Sequence, residues 1–284
     1  MFVPRKILEE KLRQILAEDI GQGDITVQAI IPSNLDVKAV VIGKEEGIAA
    51  GIEETSILAE YLGLKVKVKV ADGEKIENKQ VLLEITGDAQ TILCAERTML
   101  NLLSRMSGIA TFTRTLTGKL REAGFKAKIA ATRKSAPGML YFDKKAVTIG
   151  SGDPHRLHLD DMILIKDNHL AIVGSVEKAV KKAKENASFS KKIEVEVTKA
   201  NDAMHAAKAG ADIIMLDNFS PKQAKTTVEM LKKAGFGEVL MEVSGGITSE
   251  NLLAYAAAQV DIISMGELTH SVKALNLSLE IIKD

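Results

Sequence analysis

From Ala127 onward the chain repeats one unit, a short apolar run followed by a stretch of helical spacing, and few folds accept that pattern. The runs are residues 127–131, 162–165, 193–197, 213–216, 239–243 and 262–265. Helices are expected between them near 175–186, 199–209, 221–234 and 248–258. The runs are expected to be buried on both faces and recur about every 20 to 30 residues, as the strands of a parallel α/β barrel do. An internal echo supports repeated units: Ala209-Gly-Ala-Asp-Ile-Ile214 is matched by Ala258-Gln-Val-Asp-Ile-Ile263. In each, a helix ends, an aspartate turns the chain and a buried strand begins.

The residues before this repeat read differently. Ile7, Leu8, Leu12, Ile15 and Leu16 have the spacing of an amphipathic helix over 5–18. The segment EDIGQGDIT (18–26) reads as an ordered turn whose backbone groups Asp24 and Thr26 satisfy. Strands are expected at 37–42 and 81–85, a tight connection at 47–51, a helix at 53–62 and a turn at Ala71-Asp72-Gly73. The run KVKVKV (65–70) has period two, with solubilising lysines on one face and half-buried valines on the other. Together these predict a small α+β module of helices on a largely antiparallel sheet. Residues 91–124 form the longest helical stretch, with a break expected at Ser107-Gly108. It is apolar on most sides, so Arg97 within it needs an anionic partner such as Glu96, or a route to water. A last helix, 267–284, is expected to return to the first module. The domains are then 1–108 joined by 267–284, and 109–266.

Function in a parallel barrel stands at the C-terminal ends of the strands. That rule selects Thr132, Arg133 and Lys134, then Lys166, Asp167, Asn168 and His169. It also selects Glu194 and Glu196, which strand alternation points the same way, then Asp217 and Asn218, Ser244-Gly245-Gly246, and Gly266. The stretch 129–169 gathers Arg133, Lys134, His155, Arg156, Lys166 and His169 among small and apolar neighbours, as a pocket for a multiply charged anion would. Glycines after the two late strands let backbone N–H groups approach a phosphate, aided by a helix start at Thr248-Ser249-Glu250. Glu196 and Asp217 suit Mg²⁺, ribose hydroxyls or a developing positive charge. A zinc site at His155, His158, His169, Asp160 and Asp161 is disfavoured, because the neighbouring cations repel a metal and no tight ligand spacing is present. Phosphosugar isomerisation and glycosyl transfer both fit such a pocket.

Composition bounds the partners. Lys+Arg and Asp+Glu balance at 38 each, so no global field draws the chain to nucleic acid or to a membrane surface. The single cysteine, Cys94, excludes an internal disulfide and suits a reducing compartment. The N-terminus turns polar too early for a secretory signal, and no apolar run reaches the ~18 residues of a spanning helix. A cytoplasmic protein is expected.

The segments EDIGQGDIT, AERTMLNLLSRMSGIAT, ATRKSAPG, GSGDPHRLHLDD, LIKDNH, IEVEV, IMLDNF, EVSGGI and MGELTHS resemble, in this order, the quinolinate phosphoribosyltransferases (nicotinate-nucleotide pyrophosphorylase, carboxylating). The resemblance implies an N-terminal α/β sandwich beside an incomplete α/β barrel. It implies the Mg²⁺-dependent reaction of quinolinate with phosphoribosyl pyrophosphate to nicotinate mononucleotide, pyrophosphate and CO2, in NAD biosynthesis. It implies a homodimer with a shared site, or a hexamer of three such dimers. By similarity, Arg133, His155, Arg156 and Lys166, with Arg97 of the partner subunit, line the quinolinate site, and Thr132 belongs with them. Lys134 and Lys166 contact the phosphorylated substrate, and Glu196 and Asp217 hold the ribose, with or without Mg²⁺. Ser244, Gly245, Gly246, Met265, Gly266 and Glu267 bind the 5′-phosphate, with His270 nearby. The chain departs from the family at Leu140, Lys145 and Ser151, where arginine, tyrosine and a third glycine are often found. Rival readings are a paralogue using another pyridine carboxylate, a sugar-phosphate isomerase, and a phosphoribosyl-metabolite sensor without turnover.

Overall fold

The computed structural model describes residues 3–282, which divide into two compact units. One unit comprises 3–114, 145–151 and 272–282; the other comprises 115–144 and 152–271. Among the described residues no helix is long and apolar enough to cross a membrane.

In the first unit, α1 (Arg5–Ile20) buries Leu8, Leu12 and Leu16, one residue per turn. The EDIGQGDIT segment is more than a turn, because Asp24 caps a short helix, α2 (Ile25–Ile30), accepting the Val27 N–H at 2.9 Å. There follow β1 (Asp36–Gly43), β2 (Gly47–Ile48), α3 (Ile52–Tyr61), β3 (Lys65–Val68), β4 (Lys75–Ile76) and β5 (Val81–Asp88). β5 pairs antiparallel with both β1 and β3. The alternating lysine–valine run is an edge: only its first four residues form β3, and Val68 is 48% exposed. Its lysines do keep to solvent, Lys69 bridging Glu84 at 2.7 Å.

The long helix α4 (Ala89–Glu122) runs 34 residues without the break expected at Ser107-Gly108. Gly108 is there for close approach. A Cβ on it would lie 2.2 Å from the carbonyl oxygen of Lys273. Met99, Leu103 and Met106 are almost wholly buried along this helix, each worth about 1.5–3 kcal/mol. Arg97 takes the route to water and is exposed.

The second unit is built on six parallel strands: β6 (Lys128–Ala130), β7 (Ile163–Ile165), β8 (Ile193–Val197), β9 (Ile213–Asp217), β10 (Leu240–Ser244) and β11 (Ile262–Ser264). Their order is β6-β11-β10-β9-β8-β7, every pair parallel, so the sheet curls as a barrel that is not closed between β6 and β7. Intervening helices are α5 (Leu140–Ile149), α6 (Asp167–Val173), α7 (Val176–Asn186), α8 (Ala200–Ala209), α9 (Pro221–Lys233), α10 (Leu252–Ala256) and α11 (Glu267–His270). α7 turns Val176, Ala179 and Val180 inward, and α9 starts with Ser220 and Gln223 bonding each other's backbone N–H ahead of Pro221. The internal echo has a structural cause. Asp212 accepts the Ile193 N–H at 2.7 Å and Asp261 accepts the Met241 N–H at 2.8 Å. Each aspartate thus ties the start of its own strand to the preceding one.

After α11 the chain does not form the helix expected over 267–284. It ends in β12 (Leu277–Ile282), antiparallel to β1 from Lys38↔Ile282 to Gly43↔Leu277. The first unit's sheet is therefore β12-β1-β5-β3. β1 offers an unpaired edge, and an alternating LSLEII segment satisfies it better than an isolated helix would. Residues 283–284 of that expected helix lie outside the described residues.

Candidate active site

A cavity of about 550 Å³ opens at the C-terminal ends of the six strands. Parallel register decides what faces it. Glu196, Met215 and Glu242 are paired across β8, β9 and β10, and so point the same way. One step further on, Asp217 pairs with Ser244. One step deeper, Glu194 lies on the same face as Glu196 and is fully buried.

The structure brings together Thr132, Arg133, Lys134, His155, Arg156, Lys166, Glu196, Asp217, Ser244, Gly245 and Gly246, all of which line this cavity. Ala131, Leu164, Met215, Asn218, Glu242 and Ser264 line it too. Glu242 had a signal in the sequence, a glutamate inside an otherwise apolar strand.

Met265, Gly266, Glu267 and His270 are not among the lining residues. Met265 is buried, and Gly266 lies against Lys134: a Cβ there would be 2.8 Å from the His270 ring and 3.2 Å from Lys134 Cδ. Thr269 donates its hydroxyl to the Lys134 carbonyl at 2.7 Å, so α11 braces the Lys134 backbone. His169 does not line the cavity either. Its Nδ1 accepts the Lys166 N–H at 2.9 Å, which starts α6 and sets the backbone of Lys166. Arg97 belongs to the first unit.

Lys166 reaches Glu196 at 2.5 Å, and Asn218 donates its amide to Asp217 at 2.7 Å. Burial, then the charge of Glu196, pushes the Asp217 carboxyl above its ordinary range. Two neighbouring carboxylates, one of them costly to ionise, offer oxygen donors that fit a hard cation such as Mg²⁺. The turn after β10 has Gly245 and Gly246 at φ +91° and +60°. Among the described residues neither glycine's N–H has a protein acceptor, which suits an anion. The expected helix-dipole contribution is small, because α10 starts only at Leu252 and is five residues long.

The segment 152–156 is held from below by a buried lysine that sequence reasoning passed over. Lys144 donates to the Pro154 carbonyl and, at 3.2 Å, to that of Arg156. Burial lowers its pKa to about 8. Between those carbonyls His155 sits at φ +54°, its N–H donated to Asp153 at 2.8 Å. The His155 ring meets two buried acids, with Nε2 3.1 Å from Glu242 and 3.4 Å from Glu194. Burial alone would lower its pKa, but the bonds and charges of Glu194 and Glu242 reverse this and raise it to about 10. Glu194 is itself pushed up by burial.

Two departures from the family lie nearby in the chain. Ser151 has φ +69°, a left-handed backbone that glycine adopts more readily than serine. Lys145 is buried in the first unit, bridging Glu54 at 2.7 Å and contacting Glu53. Burial pushes Glu54 up, and the Lys145 charge partly offsets it.

Comparison with known proteins agrees with this architecture. Residues 24–107 match the family model "Quinolinate phosphoribosyl transferase, N-terminal domain", and residues 109–280 match the C-terminal domain of the same family. The chain is 45% identical over 271 residues to the probable nicotinate-nucleotide pyrophosphorylase (carboxylating) of Methanothermobacter thermautotrophicus, covering 95% of this chain and 97% of that protein. It is 37% identical over 244 residues to the human nicotinate-nucleotide pyrophosphorylase (carboxylating), covering 86% and 82%. Among solved structures, the nicotinate-nucleotide pyrophosphorylase from Francisella tularensis superposes with a TM-score of 0.90 at 38% identity, covering 99% of this chain and 98% of that one. The chain belongs to the quinolinate phosphoribosyl transferase family.

Proposed function

We propose that this protein transfers the phosphoribosyl group of phosphoribosyl pyrophosphate to the ring nitrogen of quinolinate, releasing pyrophosphate and CO2 and giving nicotinate mononucleotide for NAD biosynthesis. The observation that carries the proposal is the joint presence, in one cavity, of Arg133, Lys134, His155, Arg156 and Lys166 with the carboxylates of Glu196 and Asp217. A pyridine dicarboxylate and a pyrophosphate need the cations, and a ribosyl cation needs the acids. Relatives named for the carboxylating reaction support the choice of substrate.

In this reading Arg133, His155 and Arg156 grip the quinolinate carboxylates, with Thr132 beside them. Lys134 and Lys166 neutralise the pyrophosphate as it leaves. Glu196 and Asp217 hold the ribose hydroxyls and stabilise the positive charge that develops at the anomeric carbon. The Ser244–Gly246 turn takes the 5′-phosphate, with α11 at its side. The ring nitrogen bonds to carbon 1 of the ribose as the bond to pyrophosphate breaks. The now cationic ring accepts the electron pair left when the neighbouring carboxylate departs as CO2, and a proton takes its place. No covalent enzyme nucleophile is needed, so positioning and electrostatics carry the rate. Mg²⁺, held by Glu196 and Asp217, would neutralise pyrophosphate charge. We assign Arg97 to the quinolinate site of a partner subunit in a homodimer, alone or within a hexamer, and the enzyme to the cytoplasm.

The test is release of CO2 and pyrophosphate by the purified protein. Both should depend on quinolinate together with phosphoribosyl pyrophosphate. Turnover with nicotinate but not quinolinate would refute the carboxylating reading, and absence of turnover with either would refute an enzymatic one.

A further inference from the structure

The reading above gives no work to Glu194 and Glu242. Both are fully buried, on neighbouring inward-facing rungs of β8 and β10, and both lie against the same nitrogen of His155. Apart from the His155 ring 3.4 Å away, neither oxygen of Glu194 has a hydrogen-bond partner, and Oε1 of Glu242 has none. A buried anion is tolerated only when a cation partners it. Among the described residues, His155 is the cation that ion-pairs with each of them.

A neutral imidazole has one proton. With Nε2–H donated to the glutamates, Nδ1 of a neutral ring would be a lone pair, and a lone pair facing a carboxylate is repulsive. Only the imidazolium offers donors on both edges. The backbone that carries the ring is left-handed and is held by Asp153 and by the two carbonyls that Lys144 bonds, which fixes where the ring is anchored.

We propose that Glu194 and Glu242 are positioning residues that keep His155 doubly protonated, so that its Nδ1–H donates to a carboxylate of the pyridine substrate. The proposal rests on the assignment of the quinolinate carboxylates to His155, Arg133 and Arg156. The charged groups around the ring divide by sign. Arg156 in its own loop and Arg133 beyond β6 line the same cavity, and Lys144 on α5 bonds the carbonyls on either side of the ring, so their positive charges act toward the neutral ring. Glu194 from β8 and Glu242 from β10 oppose them, and Asp153 adds a negative charge at the ring's own backbone. The raised His155 pKa, about 10, agrees with the acids prevailing. Across neutral pH the substrate therefore meets a constant cation.

The test compares Glu242→Gln with wild type, with phosphoribosyl pyrophosphate saturating, as the ratio of their quinolinate KM values across pH. The ratio should be about tenfold near pH 8.5 and fall to within about twofold near pH 6, where the ring of the variant regains its proton. The KM for phosphoribosyl pyrophosphate should not move. A ratio of one throughout, or a raised ratio identical at every pH, would overturn the proposal; the second is the signature of disturbed packing alone. If the variant does not fold, histidine-labelled wild type decides by NMR. His155 must keep the imidazolium shift on both ring nitrogens near pH 8.5, and a neutral ring there overturns the proposal. Arg156→Ala separates the two layers of inference. Its quinolinate KM should rise; if it does not, the substrate assignment fails. If it does, and Glu242→Gln is flat, the role given to the acids fails alone.

Discussion

Gly245→Ala should damage the site through one specific neighbour. The Cβ it adds would sit 2.2 Å from Oδ1 and 2.7 Å from Cγ of Asn218, where ordinary contact begins near 3.4 Å, so Asn218 must move by roughly 1 Å. That side chain donates to Asp217 at 2.7 Å, and its backbone N–H donates to Ser244 at 2.9 Å. Two costs follow. An alanine forced to φ +91° loses about 1–2 kcal/mol, and the amide–carboxylate bond adds about 1 kcal/mol once discounted for its half-open setting. The single variant should therefore lose about 2–3 kcal/mol in urea denaturation, and Asn218→Ala alone about 1 kcal/mol. In the double variant the side-chain collision is gone and only the backbone nitrogen of residue 218, 3.0 Å from the new Cβ, remains close, so its loss should fall short of the sum of the singles by about 1 kcal/mol. Both singles should raise the KM for phosphoribosyl pyrophosphate more than that for quinolinate. Additivity within about 0.5 kcal/mol would refute the contact as the cause.

Other outcomes follow from the same geometry. Gly108→Ala, which in an ordinary helix interior would stabilise by about 1 kcal/mol, should instead lower Tm, because its Cβ meets the Lys273 carbonyl at 2.2 Å; a rise in Tm would refute the close approach. Lys144, depressed from 10.5 to about 8 in the folded chain, binds fewer protons folded than unfolded between those values. Its penalty on stability is therefore full below about pH 8 and lifts as pH rises toward 10.5. Wild type should gain about 2 kcal/mol relative to Lys144→Met between about pH 7.5 and 9.5 in urea denaturation, and a constant difference would refute the buried ammonium. Arg133→Ala and Arg97→Ala should each abolish most activity without unfolding the chain. Mixing and re-equilibrating the two inactive proteins should restore part of it, and no recovery would refute a site shared between subunits.

Most of the second unit could be read from residue order. A parallel strand covered on both faces is rich in β-branched and apolar residues, so 193–197 and 213–216 announced themselves within a residue of their observed ends. The strand-end rule then selected Arg133, Lys166, Glu196 and Asp217 for one mouth, where register does place them. What failed depended on partners far along the chain. LSLEII carries a weak pattern alone, and only the vacant edge of β1, more than two hundred residues earlier, makes it a strand. Gly108 looks like a helix breaker until a carbonyl passing within reach gives it a different purpose.

Sequence alone determined the alternation of strands and helices in the second unit and the side chains offered at the strand ends, because periodicity and alternation are local properties of a polymer. Tertiary structure alone decided that Glu194, Glu242 and His155 meet, and that Lys144 holds the loop between them. Burial, charge and hydrogen-bond partnership are set by what the rest of the chain brings close, and no spacing along the sequence encodes that distance.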